Sequence, residues 1–314
     1  MKVLATTSQS ILQVDCVTGH AMVLHQGSGL YYGITRIGSM YAVAARRRLV
    51  SSPIPRMDER GCILLFDKHF HPQSTIEAPF PLRDIHQIAW FDDRLWVTCS
   101  FDDRIAIYDG ASWERWIPEH TSRDAEDRSG GDVPGDRYHY NSFFIADEEF
   151  ALLAHNHGPS DLHFFDRRSR SWRRSIALGR QAHNVWRDGD AYATCSSIDG
   201  KLVGSNGWET ATGGFPRGVC FEGAHRAVGI SALSERGRRD WTSAAIALCD
   251  TSWRPLHYVH LVREGMILDL APIAAVDALE AANGALEMCR FPLLSHLTDG
   301  DLLGSQGSSS DVSM

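Results

Sequence analysis

One phrase recurs along this chain, and its spacing limits the folds open to it. A short apolar strand leads into an Asp-rich turn, an aromatic or aliphatic strand, a polar turn, and a strand closed by Asp. One copy starts at Ile85-His86-Gln87-Ile88-Ala89-Trp90-Phe91, turns at Asp92-Asp93, and continues through Arg94-Leu95-Trp96-Val97-Thr98-Cys99 to Ile105-Ala106-Ile107-Tyr108-Asp109. Trp113 and Trp116 mark a fourth strand. Further copies start at Tyr138, at Ala182-His183-Asn184-Val185-Trp186 and at Pro216-Arg217-Gly218-Val219. The starts are roughly 40 to 50 residues apart, the period of four-stranded propeller blades. Asp-Asp and Asp-Gly between alternating strands are hairpin chemistry. A blade alone leaves an apolar face and open edges, which closing a ring removes.

The remaining chain fits the same ring. Tyr31-Tyr32-Gly33-Ile34 opens a blade that closes at Ile63-Leu64-Leu65-Phe66-Asp67, and residues 2–26 supply strands that lack an inner partner. Gly265-Met266-Ile267-Leu268-Asp269-Leu270 is the missing inner strand, so pairing of the two chain regions seals the circle. The expected fold is all-β: a single closed propeller of about six four-stranded blades over 1–297, with five or seven as alternatives. Ala274 to Met288 reads as a helical cap. Residues 298–314, rich in Gly, Ser and Asp, read as a disordered tail, and Glu119 to Gly135 as a long exposed loop.

Composition narrows the function. The formal charge is -8 with 15 histidines left neutral. A negative surface argues against nucleic acid and against acidic membranes as partners. The run Arg46-Arg47-Arg48 reads as a solvated strand end. Met1 to Ala5 imitates a signal peptide, but Thr6, Ser8, Gln9 and Ser10 break it before an apolar segment forms. The 7 cysteines make no CxxC pair, and a reducing cytoplasm fits them best.

Several segments resemble a little-characterised prokaryotic propeller family of conserved hypothetical proteins, whose members carry a "TRGLAF…VGLS…RE" phrase. The matching residues are Gly213-Gly214-Phe215-Pro216-Arg217-Gly218-Val219-Cys220-Phe221, then Ala227-Val228-Gly229-Ile230-Ser231, then Ser234-Glu235-Arg236. His139-Tyr140-Asn141 is similar to the family's His-x-Asn strand start, and His183 to Gly189 to its "HSPRWHDG" phrase. Gly265 to Leu270 resembles its closing strand, so the likeness spans roughly 84–272. It implies the fold and no particular reaction. Asn184 stands where the phrase has Ser, and His155-Asn156-His157 is not a feature of that family.

In a propeller the first strand of each blade lines the axis, so residues at its start converge on one mouth. Those positions carry Tyr32, His86, His139 with Asn141, His183, Arg217 and Asp269. Three imidazoles from three successive blades make a candidate site for one divalent transition metal (Zn, Fe, Cu or Mn) on His86, His139 and His183. The alternative is that each histidine bonds a neighbouring backbone. Register speaks against convergence: strict alternation turns His183 away unless its strand is bulged.

Arg217, between Pro216 and Gly218, reads as a clamp for a carboxylate or phosphate, or as half of an ion pair with Asp269 or Glu264. His139, Asp269 and Arg217 are the candidate catalytic groups. Tyr32, Asn141, Arg217, His155 and His157 are the candidate substrate contacts. His155 and His157 also read as a plain polar turn before Gly158-Pro159. Two functions stay open. One is a small-molecule or peptide-modifying enzyme for an anionic ligand, whose reaction could be hydrolysis, elimination, isomerisation or oxygen chemistry. The other is a propeller that binds a ligand or protein without turnover.

Overall fold

The structure is a computed structural model that describes residues 1–118, 136–146 and 148–273. The expected loop at 119–135, the helical cap at 274–288 and the tail at 298–314 lie outside the described residues. Six four-stranded antiparallel sheets form the ring. From the axis outward, the first blade is Ile267–Pro272, Lys2–Thr7, Ser10–Asp15 and Ala21–Gln26. The second runs from Tyr31–Ile37 to Pro72–Ile76, and the third from Ile85–Phe91 to Trp113–Trp116. The fourth runs from Tyr140–Ile145 to Trp172–Arg180, the fifth from His183–Asp188 to Glu209–Ala211, and the sixth from Phe215–Glu222 to Pro255–Leu261. Ile267–Pro272 pairs antiparallel with Lys2–Thr7, so the ring closes as expected.

Position in the blade dictates strand composition. Second strands such as Met40–Ala45 and Ala191–Ser196 are packed by neighbouring blades on both faces and are almost wholly buried. They read as continuous apolar runs for that reason. The outer strand Pro72–Ile76 is exposed along nearly its whole length and is polar. The Asp that closes each phrase also has a physical role. Asp15, Asp67, Asp109, Asp166 and Asp250 each accept a backbone N–H two residues on, which turns the chain from third to fourth strand. Asp92 and Asp93 sit at φ 50 and 54, the left-handed pair that a two-residue hairpin requires.

All six inner strands share one irregularity. Where each pairs with its second strand, near the end that faces the mouth, the register shifts. In the third blade, Ile85 to Ile88 spans three steps while Cys99 to Val97 spans two. One extra residue reverses which face the following side chains occupy. The inner strands also approach closely. A Cβ on Gly33 would sit 2.4 Å from the Ile88 nitrogen, and one on Gly218 would sit 2.9 Å from the Asp269 backbone.

The described cysteines, Cys16, Cys62, Cys99, Cys195, Cys220 and Cys249, are buried free thiols. Among the described residues no helix is long and apolar enough to cross a membrane.

Candidate functional site

A cavity of about 290 Å³ opens where the inner strands begin. Tyr32, His86, His139, His155, His157, His183 and Arg217 all line it. The shared bulge is what reconciles their registers. In the fifth blade the shift falls between His183 and Val185, with Asn184 at φ 58, so His183 faces the mouth although alternation turns it away. His139, at φ 53, stands just before its strand. The Asp103 carboxylate fixes that turn by accepting the N–H groups of Arg137, Tyr138 and His139 at 2.8, 3.1 and 2.6 Å.

The imidazoles form a contiguous group. The His86 ring lies 5.1 Å from His139 and 5.9 Å from His183. His155 lies 5.0 Å from His139 and 5.2 Å from His183, and His157 lies 4.9 Å from His139.

Their partners assign the protons. Arg217 donates to His183 Nε2, so the His183 proton is on Nδ1, where it meets Ser197 Oγ at 2.9 Å. His86 Nδ1 donates to the Asp84 carbonyl at 2.9 Å and meets Ser100 Oγ at 3.0 Å. That leaves His86 Nε2 as a lone pair without a partner among the described residues. His155 Nδ1 accepts from the His157 backbone N–H at 3.1 Å. His139 Nδ1 donates to Asp136 Oδ1 at 2.7 Å.

Burial holds three of these rings neutral. It pushes His86 and His183 well below the usual imidazole value, helped by the positive charge of Arg217 and neighbouring histidines. His155 is lowered to about 2, by burial first and then by His139 and Arg217.

The cavity has two unlike walls. On the side of the second and third blades, Arg46 donates to Glu59 and Asp84, and Arg56 donates to Asp84 and Asp136. Burial raises the Asp84 carboxyl, but Arg46, His86, His139 and Arg56 outweigh it and hold Asp84 well below the carboxylate range. On the side of the sixth blade stand Arg217, Arg236 and Arg239. Among the described residues none of these three meets a carboxylate. Arg217 is 8% exposed, its Nε is buried without a partner, and its guanidinium lies over the Tyr32 and Phe215 rings. Burial pulls its pKa below the usual guanidinium value, only partly offset by Tyr32 and Asp84.

Two expected site residues face elsewhere. Asp269 does not line the cavity. Its carboxylate accepts from the Ile34 and Leu270 N–H groups and from Asn184 Nδ2, at 3.2, 3.0 and 3.5 Å, and so ties three inner strands together. Burial pushes it up to about 7 against those hydrogen bonds. Asn141 is also outside the lining; its Nδ2 bonds the Ala182 carbonyl of the next blade at 2.7 Å. Neither Asp269 nor Glu264 pairs with Arg217; Glu264 accepts from Ser10 Oγ at 2.7 Å.

Sequence reasoning misread one feature and missed others. The run Arg46-Arg47-Arg48 is not a solvated strand end, because Arg46 and Arg48 are 5% and 8% exposed. Arg46 directly follows the second strand Met40–Ala45, as His155 follows Glu149–Ala154. Aligning second-strand ends finds both. Asp84, two residues before His86, was open to the same alignment. Asp136, Arg236 and Arg239 lie in connections, where the repeat carries no signal.

The metal group selected by geometry differs from the expected triad. Both ring nitrogens of His183 are engaged. Asp136, His139 and His157 instead bring one ligand atom each within 4.8 Å of one another, a group that could hold a metal ion.

No known protein family matches the sequence, and no curated protein does. Solved structures do. A chain of the nidogen/laminin complex is similar over 86% of this chain and 97% of its own, at 9% identity and a TM-score of 0.57. Streptogramin B lyase gives 10% identity over 74% of this chain and 68% of its own, with a TM-score of 0.43. Hydrazine synthase of Kuenenia stuttgartiensis gives 14% identity over 78% and 71%, with a TM-score of 0.44. The first is a likeness of fold alone. The other two are too low to carry any argument.

Proposed function

We propose that this protein is an enzyme acting at the axial cavity on a small molecule or modified peptide that bears a carboxylate or phosphate. One observation carries the reading: Arg217 is a buried guanidinium with no carboxylate partner, aimed into a cavity whose same wall holds Arg236 and Arg239. A buried charge without a partner costs several kcal/mol on the order of magnitude known for such groups. A bound anion removes that cost and receives the planar, two-pronged grip that arginine provides.

The facing wall supplies a proton acceptor. His86 is held in one tautomer by Asp84 and Ser100, with its Nε2 lone pair open. Its neutrality at ordinary pH keeps that lone pair available, and the charge of a bound anion strengthens it as a base. A cavity of about 290 Å³ is at the small end of ligand pockets and favours a small molecule over a protein surface.

The test is ligand-dependent thermal stabilisation and calorimetry with inorganic phosphate and with small mono- and dicarboxylates. The wild type gains melting temperature with at least one anion class, and Arg217→Met loses that gain while staying folded. His86→Ala retains anion binding and loses turnover of any substrate found among the binders. A wild type indifferent to every anion, or a response equal in Arg217→Met, overturns the reading.

A further inference from the structure

We infer that Asp136, His139 and His157 form a binding site for one divalent transition metal at the rim of the axial cavity. The geometry is close to what a metal needs. Asp136 Oδ1 is 2.7 Å from His139 Nδ1 and 3.4 Å from His157 Nε2. An ion bound at about 2.0 to 2.2 Å from such donors holds tetrahedral neighbours about 3.4 Å apart, and right-angled ones about 3.0 Å apart. The two carboxylate–imidazole distances lie close to those separations, and all three donor atoms fall within 4.8 Å of one another.

The carboxylate is already divided between two tasks. Asp136 Oδ2 accepts from Arg56 at 3.2 Å, which leaves Oδ1 for the two imidazoles. Asp103 holds the His139 backbone in place, as an outer carboxylate does for a ligand-bearing turn. Two imidazoles and one carboxylate, with no thiolate, suit Zn²⁺, Fe²⁺, Mn²⁺ or Co²⁺ and leave positions open to water or substrate.

His139 now donates from Nδ1 to Asp136 Oδ1, and His157 Nε2 donates to the Asp136 carbonyl at 2.9 Å. To bind, each ring must offer the ion the lone pair of that nitrogen and can keep a proton only on its other one. The ion then sits beside His86, whose ring is 5.1 Å from His139, and across the cavity from Arg217. In the proposed reaction it serves as the electrophile that polarises the anionic ligand near the His86 base. That role rests on the reading above, whereas the binding itself does not.

The experiment uses untagged full-length protein, stripped with a chelator and titrated with Zn²⁺ and separately with Mn²⁺ by calorimetry, with metal content measured after dialysis. The wild type retains one equivalent. Asp136→Asn and His157→Ala each lose at least tenfold in affinity while their melting temperatures show them folded. His183→Ala keeps the metal, because Arg217 and Ser197 occupy that ring. A wild type that holds no metal, or wild-type affinity in Asp136→Asn and His157→Ala, or loss confined to His183→Ala, overturns the inference. Anion stabilisation of the stripped wild type is read in parallel. If it survives while metal binding fails, only this inference falls.

Discussion

The two walls of the axial cavity use the same residue type for opposite ends. On one wall Arg46 and Arg56 are bound to Asp84, and Arg46 also to Glu59. On the other, Arg217, Arg236 and Arg239 are without carboxylates among the described residues. The contrast is sharper because a carboxylate is close by: Gly218, next to Arg217, packs against the backbone of Asp269. Asp269 is half-buried, and it spends its oxygens on N–H donors instead. The fold thus keeps a buried cation and a carboxyl group on adjacent inner strands without joining them. Paired charges neutralise one another and support structure, while an unpaired one facing a cavity is left for a ligand.

Breaking the paired wall produces the largest expected effect. Asp84→Asn keeps the left-handed backbone at φ 53, which Asn tolerates, and removes only the charge. It half-strands both the buried Arg46, which keeps Glu59, and the partly exposed Arg56, which keeps Asp136. Loss of one partner from a buried pair costs about 3 to 5 kcal/mol. Chemical denaturation of Asp84→Asn should approach the lower end of that range, since Glu59 still holds Arg46. Arg217→Met on the opposite wall, measured in the same way, should lose no stability and should gain some, because it removes a buried charge that has no carboxylate partner. Equal losses from the two variants remove the distinction between the walls.

How much of this was legible follows from what repeats. The blade count, the pairing of the chain regions that closes the ring and the Asp-closed turns all recur at a fixed spacing, so sequence displays them. The convergence of His86, His139 and Arg217 was legible for the same reason. The orientation of His183 was not. It depends on a one-residue bulge, which alternation cannot display because a bulge is the breaking of alternation. Asp136 escaped because it lies in a connection, and its meeting with His157 is a matter of two turns from the same blade folding over the mouth. The role of Arg46 was hidden by its neighbours: three arginines in a row suggest solvent, although an extended chain alternates its faces.

The Asp84 and Asp269 carboxyls should answer pH in opposite senses, which sharpens the same comparison. Asp84 is held below its unfolded value, so its contribution is present above about pH 4 and is lost as pH falls toward the folded value. Asp269 is raised to about 7. Its contribution is complete below the unfolded value near 4 and is lost as pH rises through 7. Three units correspond to at most about 4 kcal/mol, an upper bound for a half-buried group. In unfolding free energies measured from pH 4 to 8, the wild type should lose stability relative to Asp269→Asn as pH rises, because only the wild type has this carboxyl to ionise. Parallel curves would show that its hydrogen bonds already hold Asp269 ionised.

The smallest effect belongs to the residue between the two buried arginines. Arg47 is turned outward at φ 54, its side chain 44% exposed, and it meets Glu77, 61% exposed, at 2.6 Å. The three residues Arg46, Arg47 and Arg48 therefore differ in solvation though not in chemistry. A solvent-exposed ion pair is worth roughly 0 to 1 kcal/mol and weakens with salt. Arg47→Ala should lower stability by less than about 0.5 kcal/mol, and the loss should vanish at high ionic strength. Arg46→Ala leaves Glu59 with Arg48 alone and Asp84 with Arg56 alone, and should cost several times more, with little salt dependence because the pair is shielded from the solvent. Measured side by side in low and high salt, the two variants isolate burial as the variable. Should Arg47→Ala prove as costly as Arg46→Ala, the strain of its left-handed backbone, rather than its charge, would have to govern the run.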